Sequence, residues 1–276
     1  MSFWVLMLLA VVQGLTEFLP VSSSGHLVLL YKFFGVENNV QLLSIVLHIA
    51  TLMSVLIYYR KDIVCLIRHP LCSTNRKIIV STAVTSGVVL IIKPFIDKTF
   101  NGDWLFAFFI ITAILLFVSD YLSERYKLLT RINKSDRDGV RLISGDNITD
   151  IKVSYRQAII IGLTQGVACI PGISRSGSTI AVGKMCGAED VTKYSFLISI
   201  PIIIASFVME IFGDGAKLID VNIPAIIISM IVCFVVGLLC IKVMNKLVEK
   251  SRLTIFAYYL IVLSLILIIL SIMGIA

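Results

Sequence analysis

Charge is scarce in this chain: of 276 residues only 15% are Asp, Glu, Lys or Arg, well below the roughly 25% of an ordinary soluble domain. That scarcity excludes a soluble protein, and 58% hydrophobic residues with a mean hydropathy of +0.99 leave an integral membrane protein. Histidines number three and cysteines six, without the clustering of a zinc or iron–sulfur site. The cysteines (65, 72, 169, 186, 233 and 240) lie mostly in or beside apolar segments and read as reduced packing residues. Cys65 and Cys72 fall in a loop expected to be cytoplasmic, where disulfides are rare. A basic segment ahead of the first apolar run is also lacking, so no cleavable signal peptide is expected.

What the chain has is long apolar runs. Residues 40–59, 78–96, 104–122, 193–212, 223–241 and 253–275 each approach the roughly 20 residues that cross about 30 Å of hydrocarbon. The net charge of +7 does not signal nucleic acid, because 17 of the 24 Lys and Arg sit in loops 60–77, 123–156 and 242–252. The opposite loops and their flanks hold Lys32, Lys93, Lys98 and Lys217. The positive-inside rule therefore puts the three basic loops in the cytoplasm and both termini outside, with bilayer lipids as the immediate surroundings.

Shorter apolar pieces at 3–19, 27–36, 157–171 and 178–187 flank one motif written twice, 152 positions apart. Gln13-Gly14-Leu15-Thr16-Glu17-Phe18-Leu19-Pro20-Val21-Ser22-Ser23-Ser24-Gly25-His26 aligns without a gap on Gln165-Gly166-Val167-Ala168-Cys169-Ile170-Pro171-Gly172-Ile173-Ser174-Arg175-Ser176-Gly177-Ser178. A bilayer tolerates such polar, Gly- and Pro-bearing backbone only where protein or a water-filled cavity satisfies it. Each motif is expected to form a re-entrant helix pair. Three spanning helices follow each copy, an odd number that reverses the orientation of the next. The expectation is an all-α integral membrane protein with six transmembrane helices and two re-entrant pairs in an inverted-topology repeat. Its parts are 1–122, a polar cytoplasmic connector 123–156, and 157–276.

Gln13 and Glu17 stand about one helical turn apart before Pro20 ends the segment. An ionisable Glu17 in an apolar run marks a functional site by default, the bland alternative being a wet structural Glu at a helix mouth. Ser22, Ser23 and Ser24 can cap the next helix, and helix N-termini bind phosphate. His26 follows Gly25 and could be nucleophile, general acid or supporting partner. His48 and His69 read as packing and loop residues. Arg175, between Ser174 and Ser176 and ahead of Gly177, needs an anion and matches phosphate with its planar fork, or pairs with Glu17 to hold the halves together. One carboxylate, hydroxyls, an imidazole and a guanidinium suit a phosphoester or diphosphate. A divalent ion, Mg²⁺ or Ca²⁺, at Glu17 and Gln13 would neutralise the phosphates.

These two motifs resemble the signature regions of the undecaprenyl-diphosphatase family, the bacitracin-resistance type, and the likeness covers essentially the whole chain. It implies a bacterial inner-membrane enzyme that converts undecaprenyl diphosphate to the monophosphate carrier of wall synthesis, with its site open to the outer face. It also implies that bacitracin competes indirectly, by binding the substrate. The resemblance places Ser23, His26 and Arg175 at positions assigned to chemistry, with Ser or His as nucleophile; Glu17 is the further catalytic candidate, and Ser22, Ser24, Ser174, Ser176 and Gly177 are the candidate phosphate-binding residues. The family has Glu or Gln at the position of Gln13, so this chain has one carboxylate where some members have two. A second lipid-phosphatase family with Ser-Gly-His and Ser-Arg elements requires a His where this chain has Ala181. The main rival is a polyprenyl-phosphate transporter or flippase, since inverted repeats with broken helices are transporter architecture. Ser229 and Gly237 would permit close packing in a homodimer or within one chain.

Overall fold

A computed structural model describes residues 2–36, 40–134, 151–211, 222–250 and 252–273. The described residues form helices and turns, in the order α1 (Phe3–Thr16), α2 (Ser23–Phe34), α3 (Val40–Tyr58), α4 (Arg60–Arg68), α5 (Ser73–Thr99), α6 (Leu105–Lys134), α7 (Tyr155–Val167), α8 (Arg175–Met185), α9 (Val191–Ile211), α10 (Ile223–Glu249) and α11 (Thr254–Ile272). Among the described residues five of these, α5, α6, α9, α10 and α11, are long and apolar enough to cross a membrane, and α3 and α4, bent by 77° at their junction, make a sixth if the pair is one span. Each of the six expected spans therefore has its helix.

The differences lie at the ends. α4 is a separate amphipathic helix, with Ile63 and Leu66 packed on the core and Arg60, Lys61 and Arg68 exposed. α5 begins at Ser73, where Cys72 Sγ accepts from the Asn75 amide at 3.5 Å. α6 runs on to Lys134, so the first part of the expected connector is helical, and 135–150 lie outside the described residues. α7 starts at Tyr155 behind a capping box, in which Ser154 and Gln157 each bond the other's backbone N–H.

α1 has 14 residues, about 21 Å at 1.5 Å per residue, too short to span. It turns at Pro20 into α2, as α7 turns at Pro171 into α8. Each leading re-entrant helix packs on a long helix of the other half, α1 on α10 and α7 on α5. The motif glycines allow this: a Cβ on Gly14 would stand 2.7 Å from the Cys233 carbonyl oxygen, and one on Gly166 would stand 2.5 Å from Val88 Cβ. α5 turns its polar stripe inward, with Thr74, Lys77, Ser81 and Thr85 buried while Ile79, Leu90 and Ile91 are exposed. Ser81 and Thr85 donate to the α7 carbonyls of Ala158 and Gly162 at 2.7 and 2.9 Å, the cross-helix hydroxyl bonding usual where lipid offers no partner. Gly237, weighed above as a dimer contact, packs inside the chain, its absent Cβ 2.7 Å from Ser54 Oγ. Ser229 is buried.

Candidate active site

The two turns interlock. Ser22 Oγ caps α2 by accepting from the Gly25 amide at 3.4 Å and also accepts from the Gly172 amide of the other turn at 3.1 Å. Ser176 Oγ donates back to the Leu19 carbonyl at 3.1 Å. A Cβ on Gly25 would meet Gly172 Cα at 3.1 Å, and one on Gly177 would meet Pro20 Cβ at 2.9 Å. Gly177 is the repeat partner of Gly25 and Gly172 that of Pro20, so the second contact is the first with the halves exchanged. Ser22 carries this junction at φ +69°, a left-handed conformation that non-glycine residues rarely adopt. Thr112 of α6 secures the second turn, donating to the Gly172 carbonyl at 3.2 Å and accepting from the Ser174 amide at 3.1 Å.

Glu17 is the centre of the site. It is 5% exposed and has three partners: Oε1 takes an ion pair from the Arg175 guanidinium, while Oε2 accepts from Ser23 Oγ at 2.6 Å and from Gln13 Nε2 at 3.0 Å. His48 Nε2 stands 3.7 Å from Oε2. Beside this cluster is a small cleft lined by Glu17, Phe18, Arg175, Ser176, Ser195, Phe196 and Ser199. Ser195 hydrogen-bonds Thr179 at 2.5 Å, and Thr179 donates to the Arg175 carbonyl at 2.8 Å. α9 thereby holds the first turn of α8 and aims the arginine.

Four of the expected site residues, Gln13, Glu17, Ser23 and Arg175, thus meet, and Ser176 lines the pocket. Ser22 and Ser174 are buried N-caps with hydroxyls committed to backbone amides, and Ser24 lies 3.4 Å from Ser22 Oγ. Gly177 permits the close approach of the turns. His26 is held elsewhere: Nδ1 lies 2.7 Å from the Ser22 carbonyl oxygen and Nε2 2.7 Å from the Tyr259 hydroxyl, with the ring stacked on Tyr259. A carbonyl only accepts, so Nδ1 carries the hydrogen, and in the neutral ring Tyr259 occupies the Nε2 lone pair.

Sequence reasoning missed His48, read as packing. The signal was present, since an ionisable group inside an apolar span carries the same warrant as Glu17. Ser195 and Ser199 gave none, because single serines in a spanning helix are ordinary. All six cysteines are free.

Among the described residues no three His, Cys, Asp or Glu side chains gather as a metal group. The donors at Glu17 nevertheless fit one kind of ion. Gln13 is fully buried and its Oε1 has no hydrogen-bond partner. One carboxylate and one uncommitted amide oxygen suit a cation that completes its shell with water and substrate oxygens, the habit of Mg²⁺, and not the six to eight oxygens that Ca²⁺ gathers.

Fold and site together define a multi-pass helical membrane protein whose reactive groups sit on two interlocked re-entrant turns. The family model described as Bacitracin resistance protein BacA matches residues 6–266, and the chain belongs to that family. Similar proteins include an undecaprenyl-diphosphatase of Carboxydothermus hydrogenoformans, 35% identical over 97% of both chains, and one of Treponema denticola, 37% identical over 96% of both. Another, of Methanosphaera stadtmanae, is 35% identical over 96% of both.

Proposed function

We propose that this chain is a membrane phosphatase that hydrolyses undecaprenyl diphosphate to undecaprenyl phosphate and inorganic phosphate, returning the lipid carrier to peptidoglycan synthesis. The observation that carries the reading is the junction at Glu17, where a carboxylate, a hydroxyl and a guanidinium from two turns converge beside a small cleft.

Each group has a task. Arg175 leaves Glu17 for the phosphate oxygens and spreads the developing charge. Ser23 Oγ attacks the terminal phosphorus while its proton passes to Glu17 Oε2, 2.6 Å away. The bond to the bridging oxygen breaks, and its electron pair leaves on undecaprenyl phosphate. Water then opens the phosphoserine, releasing inorganic phosphate and restoring the hydroxyl. The Ser23–Glu17 contact supports Ser23 over His26, whose ring nitrogens are both engaged. Glu17 and the Gln13 amide oxygen would hold a divalent cation, which would supply charge neutralisation on the phosphates. In the cell the basic loops lie in the cytoplasm of a bacterial inner membrane, the site opens to the outer face, and bacitracin lowers turnover by sequestering the substrate.

The test is phosphate release from undecaprenyl diphosphate by the purified chain in detergent, with Mg²⁺ and with a chelator. Release that Glu17→Ala and Arg175→Ala both abolish in folded protein supports the reading. No release from the folded parent under any metal transfers the site to the transporter reading.

A further inference from the structure

The distance between His48 and Glu17 has a chemical meaning. At 3.7 Å, Nε2 and Oε2 are beyond the roughly 3.2 Å limit of an N–H···O bond. Two ligands of one cation, each about 2.0–2.2 Å from it, stand about 3 Å apart at a right angle and about 4 Å apart when opposed. The observed separation lies inside that interval.

The histidine is also set for the role. Nδ1 lies 2.7 Å from the Ser44 carbonyl oxygen one turn earlier on α3. A carbonyl only accepts, so Nδ1 carries the hydrogen, and in the neutral ring Nε2 presents its lone pair toward Glu17. Donation of the second ring nitrogen to a backbone carbonyl or carboxylate is the usual support of a metal-bound histidine. A neutral ring sets that lone pair against a bare carboxylate, a conflict that a cation between the two would remove, whereas a protonated ring makes an ion pair at the same distance.

Gln13 supplies the third donor. Its Nε2 bonds Glu17 Oε2 at 3.0 Å while its buried Oε1 has no partner. Exchanging the two ends of the amide sets an oxygen 3.0 Å from Oε2, a repulsive arrangement without a cation and a chelating one with it. Arg175 on Oε1 is undisturbed by this exchange.

We infer that His48 Nε2, together with Glu17 and the Gln13 amide oxygen, is a ligand of the divalent cation. The inference rests on the cation-assisted reading above and deepens it. α3 then supplies a nitrogen donor to a site whose first motif has one carboxylate, and that donor disfavours Ca²⁺, which takes oxygen ligands.

The test uses Mn²⁺ as its own probe, bound to the full chain in detergent and read by pulsed EPR. The expected spectrum carries nitrogen modulation from a directly bound imidazole, which shifts when the histidines are isotope-labelled. His48→Gln loses the modulation and weakens Mn²⁺ binding about tenfold or more, and His26→Gln keeps both. Bound Mn²⁺ without nitrogen modulation, or modulation that survives in His48→Gln, overturns the assignment. Absence of Mn²⁺ binding also overturns it, and phosphate release persisting in chelator would then show that the phosphatase reading stands without a cation. The labelled parent protein gives the answer even if His48→Gln does not fold.

Discussion

Ser23 and Arg175 hold the same position in the two copies of the motif, and they end on the two oxygens of one carboxylate, Ser23 Oγ on Glu17 Oε2 at 2.6 Å and the Arg175 guanidinium on Oε1. The repeat has converted one position into two tasks. The first copy supplies a hydroxyl, the second a cation, and the position of Glu17 is filled by Cys169 in the second half.

The hydroxyl's task is directly testable. Ser23→Ala is expected to lower phosphate release by about a thousandfold or more, as loss of a nucleophile does, while Ser23→Cys keeps a trace. Rapid quenching with substrate labelled in the terminal phosphate should trap label on the peptide containing Ser23. Label on His26 instead would reverse the assignment.

The ion pair also bears on stability. Glu17 is nearly buried and Arg175 has a side chain 20% exposed, so Arg175→Leu leaves a carboxylate without its main partner and should cost about 3–5 kcal/mol. The double variant Glu17→Gln, Arg175→Leu removes both charges and should recover most of that loss without recovering activity. Unfolding in detergent separates the two variants; equal losses would mean that the pair contributes nothing to the fold.

At Ser22 backbone and side chain pull in opposite directions. Its φ of +69° favours glycine, while its hydroxyl accepts from the Gly25 and Gly172 amides. Ser22→Ala keeps the strained conformation and loses the cap, about 1 kcal/mol each. Ser22→Gly loses the hydroxyl and relieves the strain, so it should unfold at a higher temperature than Ser22→Ala. The reverse order would show that the positive φ of this residue is not a source of strain.

The predicted spans survived because a run of apolar residues must be long to cross lipid, and length is legible. α1, α2, α7 and α8 were legible as shorter runs around Pro20 and Pro171. The bend before α4 was not, because nothing in the passage from Tyr58 to Arg60 punctuates the chain and the 77° angle comes from packing Ile63 and Leu66 on the core. Within the site, Glu17 and Arg175 announced themselves as charges in apolar surroundings. His48 met the same criterion and was passed over. Ser22 and Ser174 were legible as hydroxyls near a site, but which of a run of serines caps and which faces Glu17 depends on how the turn folds.

The glycine contacts make a further prediction. A methyl at position 166 would meet Val88 Cβ at 2.5 Å, so Gly166→Ala should cost about 1–3 kcal/mol. Val88→Gly removes both that Cβ and the Cγ1 at 2.7 Å and should restore part of it. Gly14→Ala presses on the backbone oxygen of Cys233, where no side-chain truncation can help. Comparing unfolding temperatures of the single and paired variants checks both.

The lean of α1 on α10 also sets an order of events during synthesis. α1 carries Gln13 and has Glu17 as its C-terminal cap, and it is made well before its packing partner, Ile223–Glu249. Until then the nascent chain holds a carboxylate on a helix too short to insert stably by itself, with no arginine yet translated to meet it. The first repeat alone would carry the Glu17 carboxylate but neither the helix that α1 leans on nor the arginine that answers its charge.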